Sequence, residues 1–331
     1  MSTEAPSSNF LFLSVAVIVH WGCSLLTVFI NKNNMSTHAT KLDSPFFITW
    51  YQSLVATIFC VLTGFLSRRF TAIPSIKLDF DELRNIFPLS ITFVVMVTLT
   101  NFTIEFLTVS TLMIVKSTVP IFVMLYSLYI FKKWFSKTSV LCGVVILIGF
   151  AMGIDQTNLE HFDTTALAFA LLAASTMGLY LTVYQRFIPT IDNCVYKLTF
   201  YNNLTATIVL FIVMIFNGDV VTVYNEASLK DGEYWRLLAL PGILAYFANA
   251  KQHVENNSKT AGFISFLAKL FVQTVIATYY YNETHTALWW ASNAIITVGL
   301  FMHYYFDEDN EVTEISANEK YKLLEHEFNS V

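Results

Sequence analysis

Two lysines, Lys116 and Lys269, lie inside long apolar segments and are the residues best placed to do chemistry. A charge near the centre of a membrane-length apolar segment costs about 2.5–3.5 kcal/mol on insertion scales, so such residues usually serve a function. Glu105 is the one acidic residue in a neighbouring apolar segment, and it cannot neutralise two separated ammonium groups. The lysines therefore predict a positively charged cavity that binds an anion, and phosphate suits the point charge of lysine.

These lysines need a membrane-spanning scaffold, and the composition supplies one. Hydrophobic residues make up 55% of the 331 residues and charged residues only 13%, whereas soluble domains carry about 25% charged residues. We predict an all-α polytopic membrane protein, and the absence of a basic stripe argues against a nucleic-acid partner. Trp289 and Trp290 are interpreted as interfacial anchors. The ten predicted transmembrane helices lie near 10–30, 44–66, 86–106, 109–131, 140–154, 165–184, 198–216, 237–250, 260–281 and 287–305.

The placement of the basic residues orients these helices. If the N-terminus is cytosolic, the cytosolic connections and tail hold 13 of the 19 basic residues and the opposite side holds 4. The remaining two are Lys116 and Lys269. This excess follows the rule that basic residues stay on the cytosolic side. We therefore expect both termini in the cytosol, as a short segment at 1–9 and an acidic tail at 307–331.

Ten helices divide into two groups of five, at 10–155 and 156–306. An odd number per half inverts the second half relative to the first, and such inverted repeats place a substrate site near the middle of the membrane. The fourth helix, with Lys116, then corresponds to the ninth, with Lys269. No strong residue-by-residue repeat accompanies this division. The connections are too short for a catalytic domain, and no luminal carboxylate pair indicates a metal site, so we predict a non-enzyme.

A polar cluster opens the predicted seventh helix and contains Tyr201, Asn202 and Asn203. Adjacent amides and a phenol are costly in lipid unless they face a cavity or partner helices. A carboxamide donates and accepts hydrogen bonds at once, which suits the edge of a nucleobase. Hydrogen bonding between helices is the alternative interpretation, and the sequence leaves both open.

Five short motifs follow one another along the chain. They are FINK at 29–32, LDSPFFITWYQ at 42–52, GFAMGIDQ at 149–156, LTFYNN at 198–203 and ETHTALWWASN at 283–293. In order and spacing they resemble the nucleotide-sugar transporters of the drug/metabolite transporter superfamily, and among these the GDP-fucose transporters. The resemblance implies an antiporter of the Golgi or ER membrane, without a cofactor, that imports GDP-fucose into the lumen in exchange for GMP. Whether it forms a homodimer stays open.

The resemblance also implies roles for individual residues. Tyr201, Asn202 and Asn203 would face the guanine. The segment SFLAK, from Ser265 to Lys269, corresponds to the motif whose lysine meets the phosphates.

Two positions depart from the family pattern. Phe266 stands where the GDP-fucose transporters have a glycine, and Lys116 stands where they tend to have an arginine. A glycine allows close backbone approach, and lysine lacks the bidentate fork of arginine. The alternatives are therefore a transporter of another nucleotide sugar or phosphorylated metabolite, or a non-transporting paralogue that regulates such transport.

Overall fold

In the computed structural model of the chain, the described residues are 19, 22–34, 44–66, 78–132, 134–155, 164–224, 232–250 and 259–305. For 248–250 and 259–269 only the backbone is described. The predicted termini at 1–9 and 307–331 lie outside these ranges. Within them the chain forms α-helices and a short 3₁₀ turn, and no β-strand.

Twelve helices are present in the described part of the chain. They are α1 (22–34), α2 (Pro45–Leu66), α3 (Phe80–Phe106), α4 (Val109–Lys116), α5 (Val119–Phe131), α6 (Lys137–Asp155), α7 (Thr164–Phe187), α8 (Val195–Asn217), α9 (Asp219–Tyr224), α10 (Gly232–Ala250), α11 (Lys259–Tyr280) and α12 (287–305). The predicted all-α class is confirmed for these residues. Six spans are long and apolar enough to cross a membrane: Pro45–Leu66, Phe80–Phe106, Val109–Phe131, Lys137–Asp155, Thr164–Ile191 and Val195–Asn217.

The predicted fourth span, at 109–131, is confirmed as a segment long and apolar enough to cross a membrane, but its helix is interrupted. It divides into α4 and α5 at Ser117 and Thr118. Pro120, near the start of α5, has no N–H to donate to the preceding turn. The backbone N–H of Thr118 bonds instead to the carbonyl of Val115 at 3.0 Å. The hydroxyls of Ser117 and Thr118 also bond to carbonyls of the last turn of α4, at 2.6 and 2.7 Å. The break leaves Lys116 as the last residue of α4.

Lys32, in the FINK motif at the end of α1, closes the C-terminal end of α3. Its Nζ donates to the carbonyls of Ile104, Glu105 and Leu107 at 2.9, 3.2 and 2.9 Å. A cation at a helix C-terminus satisfies carbonyls that have no partner in the helix and complements the helix dipole. Lys32 therefore fastens α1 to α3.

The bundle is centred on α2, α3 and α8. α3 packs against α7 and α8, α2 packs against α8 and α10, and α11 packs against α4. Small residues let two of the helix pairs approach closely. A Cβ atom at Gly178 of α7 would lie 2.6 Å from Cβ of Phe122, and one at Gly242 of α10 would lie 2.4 Å from the carbonyl oxygen of Gln52.

The prediction that Trp289 anchors the chain at the membrane interface was wrong. Its side chain is fully buried. The indole stacks on the ring of His285, with centroids 3.7 Å apart and planes 9° from parallel. His285 in turn lies 3.1 Å from a carboxylate oxygen of Glu283, which accepts a hydrogen bond from Ser110 of α4. The motif ETHTALWWASN therefore packs the start of α12 against the start of α4.

The close contact at Gly178 gives a test of the packing. We expect Gly178→Ala to lower the melting temperature of the purified protein, because the added methyl would overlap Phe122. Overpacking of this kind costs about 1–3 kcal/mol, against a gain in helix propensity of about 1 kcal/mol. Gly143→Ala is the matched control, since its Cβ would have only the Met124 sulfur within reach, at 4.0 Å. Equal melting temperatures for the two variants would contradict the packing of α7 on α5.

Candidate functional site

A cavity of about 360 Å³ lies inside the bundle. Helices α1, α2, α3 and α10 form most of its wall, and α4, α7 and α8 contribute one residue each. Its volume is in the range of small-molecule sites, which are about 300–1,000 Å³. The lining residues are Ser24, Thr27, Val28, Asn31, Thr49, Gln52, Ser53, Phe93, Met96, Val97, Thr100, Asn101, Ile104, Lys116, Met177, Asn203, Pro241, Gly242 and Ala245.

Lys116 reaches this wall from the break between α4 and α5. Of the described residues that line the cavity, it is the one with a charged side chain. Within the described residues its ammonium makes no hydrogen bond or ion pair, in contrast to Lys32. A buried ammonium without a partner pays the cost of desolvation and keeps its capacity to bind an anion. The structure thus places a free positive charge on the wall of a ligand-sized cavity.

Asn203 is the second predicted site residue on this wall. It lies in the first half of α8, and its side chain is 6% exposed. Its Nδ2 donates to the carbonyl of Thr199 in the preceding turn, at 2.8 Å. One N–H and the side-chain oxygen remain available to a ligand among the described residues. The sequence prediction and the structure therefore bring Asn203 and Lys116 together in one cavity.

Tyr201 does not line this cavity. Its hydroxyl lies 2.7 Å from Oε2 of Glu82, to which it donates, at the start of α3. The same carboxylate receives a hydrogen bond from Lys197 at 2.6 Å, and Lys197 also bonds to Asp192 at 2.7 Å. This network joins the N-terminal ends of α3 and α8. A contact of Tyr201 with a base stays a prediction.

Asn202 is likewise directed away from the cavity. Its Oδ1 accepts a hydrogen bond from Ser90 of α3 at 2.9 Å, and its Nδ2 donates to the hydroxyl of Tyr180 of α7 at 3.1 Å. Successive residues of an α-helix point about 100° apart, so two adjacent amides cannot share one direction. For Asn202 the observed geometry is the interhelical hydrogen bonding that the sequence left as an alternative.

Ser265, Phe266 and Lys269 belong to α11, but their side chains lie outside the described part of the structure. α11 packs against α4, the helix that ends in Lys116. Leu270, which follows Lys269, lines a smaller cavity of about 20 Å³ together with Ser117 at the helix break. The roles predicted for these three residues stay predictions.

Three cavity residues were not singled out from the sequence, namely the amides Asn31, Gln52 and Asn101 of α1, α2 and α3. Nε2 of Gln52 donates to Oδ1 of Asn31 at 2.7 Å, and Nδ2 of Asn31 donates to Oδ1 of Asn101 at 3.2 Å. Asn101 continues the chain of bonds to Thr49 at 2.8 Å. Asn31 and Gln52 fall inside the FINK and LDSPFFITWYQ motifs, which was the available signal. We call Asn31, Gln52 and Asn101 the amide cluster.

Within the described ranges, no three His, Cys, Asp or Glu side chains lie close enough together to hold a metal ion. Among the described residues, the polar groups of the cavity are amides, hydroxyls and a single ammonium. Such a wall has the chemistry to hold an anionic, hydroxyl-rich molecule.

Comparisons with known proteins agree with this chemistry. Residues 11–153 match the EamA-like transporter family. A GDP-fucose transporter of Caenorhabditis elegans is 30% identical over 95% of this chain and 90% of its own length. The Golgi GDP-fucose transporter of Drosophila melanogaster is 29% identical, over 88% of each chain. GDP-fucose transporter 1 of Mus musculus is 29% identical over 90% of this chain and 86% of its own.

A solved crystal structure shares the fold, with a TM-score of 0.56 and 14% sequence identity, over 90% of this chain and 99% of that one. The sequence relatives extend along nearly the whole chain, and the motifs that carry the resemblance lie within that extent. The chain belongs to the nucleotide-sugar transporter family of the drug/metabolite transporter superfamily, the family that includes the GDP-fucose transporters.

Proposed function

We propose that this chain is an antiporter that carries GDP-fucose into the Golgi lumen in exchange for GMP. The observation that carries the proposal is the ammonium of Lys116, which has no partner among the described residues, on the wall of a cavity of about 360 Å³. The relatives named as GDP-fucose transporters, one of them Golgi, support the substrate and the compartment. Their names also support transport without enzymatic chemistry.

The phosphates are proposed to bind at Lys116, with Lys269 contributing from α11. Lys116 ends a half-helix, and α5 begins three residues later with its N-terminal N–H groups and positive dipole end directed toward the break. Discontinuous helices of this kind bind anionic groups in many transporters. The helix break and the ammonium together suit a diphosphate.

Contacts between helices support a molecule of ten transmembrane helices in two inverted halves, at 10–155 and 156–306. The symmetry that relates the two halves would superpose α2 on α8, α3 on α10 and α4 on α11. Under the same symmetry the α3–α8 contact corresponds to the α10–α2 contact, and both contacts occur. The α4–α11 contact would map onto itself, and it also occurs. The family match over 11–153 coincides with the proposed first half.

The guanine is proposed to bind at Asn203. Its free amide groups can donate to and accept from the edge of the base. Phe93 of α3, on the same cavity wall, offers an aromatic face for stacking. Tyr201 and Asn202 hold α8 against α3 and α7 and so fix the position of Asn203.

Obligatory exchange follows from the charge of the empty cavity. Two lysines without an anion repel each other and make the empty protein reluctant to reorient across the membrane. Either GMP or GDP-fucose relieves this repulsion, so each direction of transport needs a nucleotide. Both termini would lie in the cytosol, and the basic residues would then be concentrated on that side.

Replacement of Lys116 tests the phosphate site. In liposomes loaded with GMP, we expect Lys116→Gln to reduce the uptake of GDP-fucose by about 10- to 100-fold, the loss of one charge-assisted hydrogen bond. Lys116→Arg should keep most of the uptake because it keeps the charge. Lys269→Ala should also lose exchange. Lys137→Gln, at the exposed start of α6, is the control and should exchange at the normal rate. Normal exchange by Lys116→Gln would contradict the assignment.

The adjacent amides of α8 give a matched pair of variants. Asn202→Ala leaves the buried hydroxyls of Ser90 and Tyr180 without their partner, so we expect it to lower stability by about 1–3 kcal/mol. Asn203→Ala breaks only a bond within its own helix and should unfold near the wild-type temperature. It should, however, lose the increase in melting temperature that GMP gives the wild-type protein. The reverse pattern in thermal unfolding, measured with and without GMP, would refute both placements.

Counter-loading the liposomes with different nucleotide sugars identifies the preferred substrate. We expect GDP-fucose to exchange faster than UDP- or CMP-linked sugars, because Asn203 reads guanine. A preference for another base would transfer the proposal to the corresponding nucleotide sugar. Failure of every nucleotide to exchange would favour the non-transporting paralogue.

A further inference from the structure

We infer that the amide cluster of Asn31, Gln52 and Asn101 is the subsite for the sugar, and that it binds the sugar hydroxyls. This inference rests on the proposed function, since it assumes that a nucleotide sugar occupies the cavity. Three observations carry it: the hydrogen-bonding capacity that the cluster leaves unused, its position along the cavity and its lack of charge.

The cluster does not use all of its hydrogen-bonding groups. Three carboxamides offer six N–H donors, of which four are engaged, one of them only in a 3.5 Å contact from Asn31 to Gln52. Among the described residues, the remaining donors belong to Gln52 and Asn101, and each side-chain oxygen of the cluster keeps one acceptor site. An amide network that served only to join helices would be expected to satisfy itself, because unpaired buried polar groups are costly. All three residues line the cavity.

The cluster lies at the opposite end of the cavity from Asn203. Wall residues of α3 run from Phe93 to Ile104, which is about 16 Å of helix. Ser90 of α3 bonds to Asn202, and Val94 packs in one cluster with Ala206 of α8, so Asn203 lies at the Phe93 end. Asn101 lies near the other end, next to the C-terminus of α3.

Lys116 lies between the two ends. α4 begins three residues after the C-terminus of α3, and Lys116 is seven residues, about 10 Å, into it. This depth falls between the level of Asn101 and the level of Phe93. From one end of the cavity to the other, the wall therefore presents an amide for a base, a cation and a cluster of amides. A nucleoside diphosphate sugar presents base, diphosphate and sugar in the same order.

The chemistry of the cluster suits hydroxyl groups rather than phosphate. Sugar hydroxyls both donate and accept hydrogen bonds, and so do carboxamides. The cluster itself carries no charge. The nearby ammonium of Lys32 is engaged with carbonyls at the end of α3 and does not line the cavity. Gln52 is the most exposed of the three amides, while Asn31 and Asn101 are 4% and 6% exposed.

The experiment compares a ligand that has the sugar with one that lacks it. Gln52→Met keeps the length of the side chain and removes the amide. In liposomes loaded with GMP, labelled GMP uptake is measured in competition with unlabelled GMP or unlabelled GDP-fucose. We expect the apparent affinity of the variant for GDP-fucose to fall about five- to tenfold, the loss of one or two neutral hydrogen bonds. Its apparent affinity for GMP should stay at the wild-type value.

Thr103→Val is the matched control. Thr103 is a buried neighbour on α3 that does not line the cavity, and its hydroxyl bonds to the Leu99 carbonyl of its own helix. Both apparent affinities of this variant should equal those of the wild type. If Gln52→Met yields no active protein, Gln52→Asn replaces it. This variant keeps the amide but shortens the side chain by one methylene. Its apparent affinities for GDP-fucose and GMP are compared in the same way.

The possible outcomes separate the sugar subsite from the proposed function. A parallel loss of affinity for GMP and GDP-fucose in the Gln52 variant would assign the cluster to helix packing and overturn the inference. An apparent affinity for GDP-fucose that equals the wild-type value would overturn the inference as well. Either result leaves the exchange reaction intact. Absence of GMP exchange by the wild-type protein would instead overturn the proposed function.

Discussion

The cost of placing an ammonium group in an apolar bundle is the constraint on which the rest of the structure depends. Within the described part of the chain no carboxylate pairs with Lys116, so its charge is left to water or a ligand. The surrounding structure provides a cavity with a polar wall, and a break between α4 and α5 at which the lysine ends a helix. Without the cavity the lysine would be an uncompensated charge. Without Lys116 the described wall of the cavity would carry no positive charge to attract an anion.

Lys32 shows what the same side chain does when the protein supplies its partners. Its Nζ donates hydrogen bonds to three backbone carbonyls at the end of α3. These bonds cap that helix and fasten α1 to it. Lys116 has no such set of partners among the described residues. Lys32 therefore helps to build the bundle, whereas Lys116 keeps a charge that we propose binds a ligand. The difference lies in what surrounds each ammonium, because the residue type is the same.

The helices were predictable because long apolar runs leave the backbone no other way to satisfy its polar groups in a membrane. The same reasoning found Lys116, since a charge inside such a run is conspicuous. It could not decide which polar residues face the cavity. Asn202 and Asn203 are adjacent and chemically identical, and only the rotation of α8 against its neighbours separates them. Trp289 shows the same limit, since a tryptophan at a helix start can anchor at the interface or fill the core.

The contact between Gly242 and Gln52 affects how strictly the cavity can select its ligand by size. At this point the backbones of α10 and α2 touch without any side chain between them. Side chains change rotamer within picoseconds to nanoseconds and let a pocket adapt to what it holds. A wall made of two abutting backbones has no rotamers to change. Beside Gln52 the cavity wall is therefore rigid. A ligand group too large for this part of the cavity could bind only if the two helices moved apart.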